Sequence, residues 1–129
     1  MFFFYDDWHF SIPETNPENT TDLYIKHYER LSQETGVKLL PPEFDFYLLA
    51  YILDAKNHTD EKIKLLKKCK ELYPDAVNAD AYLGRTYYMI GDLKNAEIYN
   101  EYSLSLNPNN EFAKQTKALI ESKKNNATQ

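Results

Sequence analysis

The chain has 129 residues, 15 Lys plus Arg against 20 Asp plus Glu, and a formal charge of −5. That length fits one compact domain, and 43% hydrophobic residues with 27% charged residues exclude bulk disorder. The acidic balance excludes a non-specific nucleic-acid binder, which needs a basic surface to release counterions. Three glycines argue against a β-sandwich or barrel and against a Gly-rich phosphate loop. The single cysteine, Cys69, excludes an internal disulfide and a multi-cysteine metal site. No apolar run approaches the roughly 18 residues of a membrane-spanning helix.

Taken in chain order, residues 1–18 form an aromatic, extended segment. Its start, Met1-Phe2-Phe3-Phe4-Tyr5-Asp6-Asp7-Trp8, is acidic and lacks the basic lead of a signal peptide, and Ile12-Pro13 points to extended chain. The helical part is expected over 19–124. Asn16-Pro17-Glu18-Asn19-Thr20-Thr21-Asp22 is turn-rich and ends in capping residues, so a helix is predicted over roughly 21–35. Leu23, His27 and Leu31 line one side of it, and Gly36 is its C-cap. Pro41-Pro42-Glu43 starts a second helix over 43–56, whose Phe46, Leu49, Ala50 and Leu53 share a face. Asn57-His58-Thr59-Asp60 is a capped turn. Helices over 61–72 and 77–89 follow, separated by Pro74. Gly91-Asp92 turns the chain into a helix over 93–105, and Asn107-Pro108-Asn109-Asn110 ends it. A capping helix over 110–124 carries Phe112, Ala113, Leu119 and Ile120, and 125–129 are expected to be a disordered tail.

The shift that carries Pro74 onto Pro108 also aligns Leu49 with Leu83, Ala50 with Gly84, Leu53 with Tyr87, Asn57 with Gly91 and Cys69 with Ser103. Its length, about 34 residues, is the period of an antiparallel helix pair. The small residues Ala50, Gly84 and Ala118 are expected where the first helix of a pair approaches the second, and Ala96 plays the same part on a second helix. Residues 77–110 thus resemble a tetratricopeptide repeat through Leu83-Gly84, Tyr87, Gly91-Asp92, Ala96, Leu104 and Asn107-Pro108. Residues 43–76 resemble one through Phe46, Leu49-Ala50, Leu53, Leu66, Cys69 and Pro74. Three positions depart from the pattern: Asp80 stands at a large aromatic, Asn100 at a bulky residue, and Lys62 at a small residue, where it should distort the first repeat's turn. The expected fold is an all-α, tetratricopeptide-like α-α superhelix of about two repeats, with an N-terminal helix and a C-terminal capping helix.

A second resemblance covers nearly the whole chain. His27-Tyr28-x-x-Leu31-Ser32, Gly36, Pro41-Pro42-Glu43 and Tyr51, followed by two repeats, is similar to the carboxy-terminal appendage of bacterial enterochelin-esterase-like α/β hydrolases common in the Bacteroidetes. Phe3-Phe4-Tyr5-Asp6-Asp7-Trp8 resembles the aromatic exit from their hydrolase domain. The resemblance implies a non-catalytic docking part whose nucleophile and triad lie upstream. It also implies a periplasmic or secreted location, against a cytoplasmic one otherwise.

Chemistry within the chain is sparse. None of Ser11, Ser32, Ser103, Ser105 and Ser122 lies in a Gly-x-Ser-x-Gly elbow. His9, His27 and His58 share no metal-ligand spacing, and Cys69 is expected to be a buried structural thiol, so no catalytic residue, cofactor or metal is expected. Asn19, Asn57 and Asn126 begin matches to the glycosylation acceptor pattern that chance supplies in an Asn- and Thr-rich chain. The lysine run Lys62, Lys64, Lys67, Lys68 and Lys70 is expected as a solvated face. The repeat resemblance implies a concave groove. Phe44, Tyr47, Tyr51 and Asp54 would line it in the first repeat, and Asn78, Ala81, Arg85, Tyr88 and Met89 in the second. Phe112, Gln115 and Leu119 would come from the last helix. The carboxylate clamp of chaperone-binding members is missing, since Tyr47, Tyr51, Tyr82 and Thr116 hold its positions. Such an aromatic groove suits an extended peptide or a helix, unless residues 1–18 fill it and the tyrosines are core. Expected partners are a protein or peptide, including an upstream hydrolase domain or a second copy, without nucleic acid or a membrane span. The alternatives are a hydrolase activity of the chain itself and a stand-alone adaptor.

Overall fold

The computed structural model describes residues 10–127. A 3-10 turn, Pro17–Asn19, leads into six α-helices: α1 Thr20–Thr35, α2 Glu43–Ala55, α3 Thr59–Leu72, α4 Val77–Met89, α5 Leu93–Leu106 and α6 Glu111–Ala127. The described residues contain no strand, so the protein is all-α. The chain divides into two compact units, Met1–Leu65 and Leu66–Gln129, with the boundary inside α3.

The interval between the two prolines recurs in the backbone itself. Helices α2, α4 and α6 begin at Glu43, Val77 and Glu111, while α3 and α5 begin at Thr59 and Leu93 and end at Leu72 and Leu106. The turns repeat bond for bond. After α2, the His58 N–H donates to the Leu53 carbonyl at 2.8 Å and the Asn57 N–H to Asp54 at 3.0 Å. After α4, the Asp92 N–H donates to Tyr87 at 2.9 Å and the Gly91 N–H to Tyr88 at 3.1 Å. Closing such a turn needs one left-handed residue, which is Asn57 (φ 64°) in one case and Gly91 (φ 88°) in the other. After α3 and α5 the pairs are Tyr73 to Cys69 (2.8 Å) and Asn107 to Ser103 (2.9 Å). Helix α1 falls outside this register.

Three expectations are corrected. Lys62 does not distort its turn: its N–H reaches the His58 carbonyl at 3.0 Å, as that of Ala96 reaches Asp92 at 3.0 Å, and its long side chain leaves the crowded position to meet Asp54. Ala118 is exposed, because no described helix follows α6 for it to approach. Residues 125–127 continue α6 instead of starting a tail. Its last turns are tied down by the Lys124–Glu97 ion pair and by Lys123 over the Tyr88 ring at 5.5 Å. Residues 1–9 and 128–129, with the readings placed on them, lie outside the described residues.

In the first unit the core is Tyr24, Leu31, Phe46, Leu49, Ala50, Leu53 and Leu65. The Tyr24 ring meets Phe46 edge-on at 5.2 Å and Tyr28 at 5.4 Å. The start of α1 is not capped by its own residues. The buried Glu61 carboxylate of α3 accepts the Thr21 N–H at 2.8 Å and the Thr21 hydroxyl. This places a negative charge at the positive helix end. In the second unit α4, α5 and α6 pack mutually around Leu83, Tyr87, Ala96, Ala113 and Ile120. Gly84 lets α4 approach α5: a Cβ there would lie 3.1 Å from the Asn100 N and Cβ atoms and 3.2 Å from its Cα.

Candidate functional site

The first-unit groove candidates all lie on α2, which is apolar on two opposite sides. Phe46, Leu49, Ala50 and Leu53 face the core. At about 100° per residue, Phe44, Leu48, Tyr51 and Ala55 fall on the far side, and all four are exposed. Tyr47 is half-buried at the edge of that stripe, and Asp54 bridges to Lys62 at 3.2 Å. A groove of about 230 Å³ runs along the flank of α2, lined by Phe10, Tyr24, Tyr28, Asp45, Leu48, Leu49 and Ile52. Phe10 closes one end by packing on Tyr24 (5.0 Å) and His27 (5.8 Å). Leu48, Ile52 and this cavity escape the groove prediction. The four-three-four spacing of Phe44, Leu48, Tyr51 and Ala55 is the signal that could have found Leu48, whereas Ile52 and the cavity depend on packing against Phe10, Tyr24 and Tyr28.

The second-unit candidates behave differently. Arg85 is half-buried and held within the unit: its Nε donates to the Thr116 hydroxyl at 2.8 Å, and its guanidinium lies 4.2 Å from the Phe112 ring centroid. Phe112 also meets Tyr82 edge-on at 5.4 Å. The structure therefore brings Arg85 and Phe112 together as a tie between α4 and α6. Ala81 is core, and Tyr88 is half-buried under Lys123. Asn78, Met89, Gln115 and Leu119 are exposed.

Buried polar side chains inside this unit each meet a specific partner, although Asp80 Oδ1 and Asn100 Oδ1 are left without a hydrogen bond among the described residues. Asp80 is fully buried on α4, with its Oδ2 2.6 Å from the Lys70 ammonium. Burial pushes its carboxyl above the usual range, although Lys70 pulls the other way. Asn100 donates to the Ala113 carbonyl at 2.9 Å, while the buried Ser103 hydroxyl donates to Val77 at 3.0 Å. The Asp92 carboxylate accepts from the Asn95 N–H at 3.1 Å and caps α5, which holds it below its ordinary value.

The lysine run is not one solvated face. Lys62 meets Asp54, Lys64 meets Asp22 at 3.1 Å, Lys68 meets Glu71 at 3.2 Å and Lys70 meets Asp80. Lys67 lies over the stacked rings of Tyr87 and Tyr99, and its interaction with the Tyr87 side chain holds its ammonium above the usual value. Cys69 is buried as expected, while His27 sits between Phe10 and Tyr28. Among the described residues no cluster of three His, Cys, Asp or Glu side chains could hold a metal ion, and no helix is long and apolar enough to cross a membrane. Comparison with protein families and with curated proteins finds no match for this chain.

Proposed function

We propose that the chain is a non-catalytic docking module of tetratricopeptide type, the carboxy-terminal part of an esterase-like polypeptide. The observation that carries the docking role is the second apolar face of α2, where Phe44, Leu48 and Tyr51 stand exposed opposite the buried face. A helix apolar all round is ordinarily covered on both sides. The repeat type is supported by helix starts and turn hydrogen bonds that recur at the interval separating Pro74 from Pro108. The esterase connection is supported by the resemblance of residues 3–8 and 27–51 alone.

The test is a photo-crosslinking residue in place of Tyr51, with the same residue in place of the exposed Lys114 as control. Docking predicts protein adducts at 51 above those at 114. Equal labelling at the two positions would remove the docking role. Turnover of a p-nitrophenyl acyl ester by pure protein, abolished by a serine-directed inhibitor, would replace it with a hydrolase function.

A further inference from the structure

We propose that the groove along the flank of α2 binds a small organic amine, its ammonium on the Asp45 carboxylate and its apolar body along the wall beyond. This site goes beyond the docking reading and does not rest on it.

The walls of the groove follow from helix periodicity. Asp45, Leu48, Leu49 and Ile52 stand at i, i+3, i+4 and i+7, so they make one stripe along α2. Tyr24 and Tyr28, one turn apart on α1, line the same groove, and Phe10 closes one end. All of these residues belong to the first unit.

The lining selects the ligand. Asp45 is half-buried among apolar side chains and makes no ion pair among the described residues. In the same unit Asp22 and Asp54 are each met by a lysine. A carboxylate drawn out of water beside apolar walls gains from a cation that donates hydrogen bonds to it. The aromatic rings act in the same direction. Phe10 and Tyr24 lie 5.0 Å apart and Tyr24 and Tyr28 5.4 Å, so an ammonium among them comes within about 6 Å of a ring centroid, the range of cation–π attraction. An anion would be repelled by Asp45. A hard metal ion takes about six oxygen ligands, and this lining offers one carboxylate.

Size sets the rest. The groove holds about 230 Å³. At about 30 Å³ for each water-sized group, that is room for roughly eight to ten non-hydrogen atoms. The α2 wall rises about 10 Å from Asp45 to Ile52, which suits an aryl or alkyl chain carried by the amine.

Titration of the full chain with phenethylamine, followed by two-dimensional NMR, tests the site. Signals of Tyr24, Leu48 and Ile52 should shift and saturate with a Kd of about 1 mM, as expected for a ligand of about nine non-hydrogen atoms. Phenylethanol, with the same body and no charge, should bind about tenfold more weakly, and phenylpropanoate should leave the signals in place. Asp45→Asn should keep its circular dichroism spectrum and bind the amine no better than the alcohol. An amine that binds no tighter than the alcohol, shifts that fall away from the groove, or a folded Asp45→Asn protein that keeps the preference would each overturn the proposal. Should Asp45→Asn unfold, the ranking of the three ligands on the wild type decides the matter. Amine binding in a chain that forms no excess adducts at position 51 would uphold this site and remove the docking role.

Discussion

Gly84→Ala should destabilise the protein, although alanine is the better helix former. In an unconstrained helix interior the exchange gains about 1 kcal/mol. Here the added Cβ would lie 3.1 Å from both the N and Cβ atoms of Asn100 and 3.2 Å from its Cα. Ordinary carbon contacts sit at about 3.5–4.0 Å, so α4 and α5 must part by a few tenths of an ångström. Two of the three atoms met are backbone atoms inside α5 and cannot rotate away. Overpacking of this kind costs about 1–3 kcal/mol, and the rigid neighbour puts it in the upper part of that range. The net loss is then about 1–2 kcal/mol, a fall of about 4–8 °C in Tm for a chain of this size. Thermal and urea unfolding followed by circular dichroism measure it. Trimming Asn100 to glycine should not rescue the variant, because the backbone contacts persist. A Gly84→Ala protein that melts higher than wild type would refute the close approach of α4 to α5.

Four further outcomes follow from single contacts. Glu61→Ala leaves two buried donors at the start of α1 without their acceptor, and should cost about 2–3 kcal/mol and speed amide exchange in the first turn of α1. Arg85→Ala removes the Thr116 hydrogen bond and the cation over Phe112; it should cost about 1–2 kcal/mol and expose α6 to limited proteolysis. The raised carboxyl of Asp80 keeps its proton in the folded state above its unfolded value of 3.8, so its contribution to stability is lost as pH rises through the folded pKa. The stability of Asp80→Asn relative to wild type should therefore climb with pH across that window in urea titrations, and a falling difference would contradict the assignment. Asp92 has the opposite sign: its lowered carboxyl stabilises the fold above 3.8 and loses that effect as pH falls through the folded value. Asp92→Ala should melt below wild type at pH 7, with the gap closing in acid.

The helices are legible because their ends are chemical. Gly36 and Gly91 take positive φ where the chain must leave a helix, and the Gly91 position is matched one repeat earlier by Asn57 at φ 64°. A period read from such residues fixes the boundaries of α2, α3, α4 and α5 to within a residue or two. Long-range partners are not legible, because nothing local encodes them. Glu61 sits in a stretch of acidic and basic residues that looks like ordinary helix surface, yet it is buried and caps α1 from 40 residues away. Arg85 looks like a free groove cation, but Thr116 and Phe112, each locally unremarkable, hold it against α6. Lys62 misleads for a related reason. A small-residue position constrains only the atoms near the backbone, and a lysine stem can leave the crowded region before its bulk begins.

The two repeats divide apolar and polar residues in opposite ways. Where the first buries Phe46, Leu66 and Cys69, the second buries Asp80, Asn100 and Ser103 at the corresponding positions. Each of these is matched to a specific partner: Lys70, the Ala113 carbonyl and the Val77 carbonyl. Polar cores of that sort demand close geometry, because an unmade buried hydrogen bond costs about 1–3 kcal/mol. The outer faces show the same contrast. Helix α4 carries Asn78 and Arg85 where α2 carries Phe44 and Tyr51, with Arg85 held by α6, although Tyr82 and Met89 stay exposed at the other two matching positions. Exposed aromatic side chains gain nothing in water and add aggregation risk, so Phe44 and Tyr51, both on a helix that already buries an apolar face, need a compensating contact. Moving the pattern should move the behaviour. Replacing Phe44 by the Asn of α4 should yield a chain that folds as before and forms fewer crosslinks from position 51.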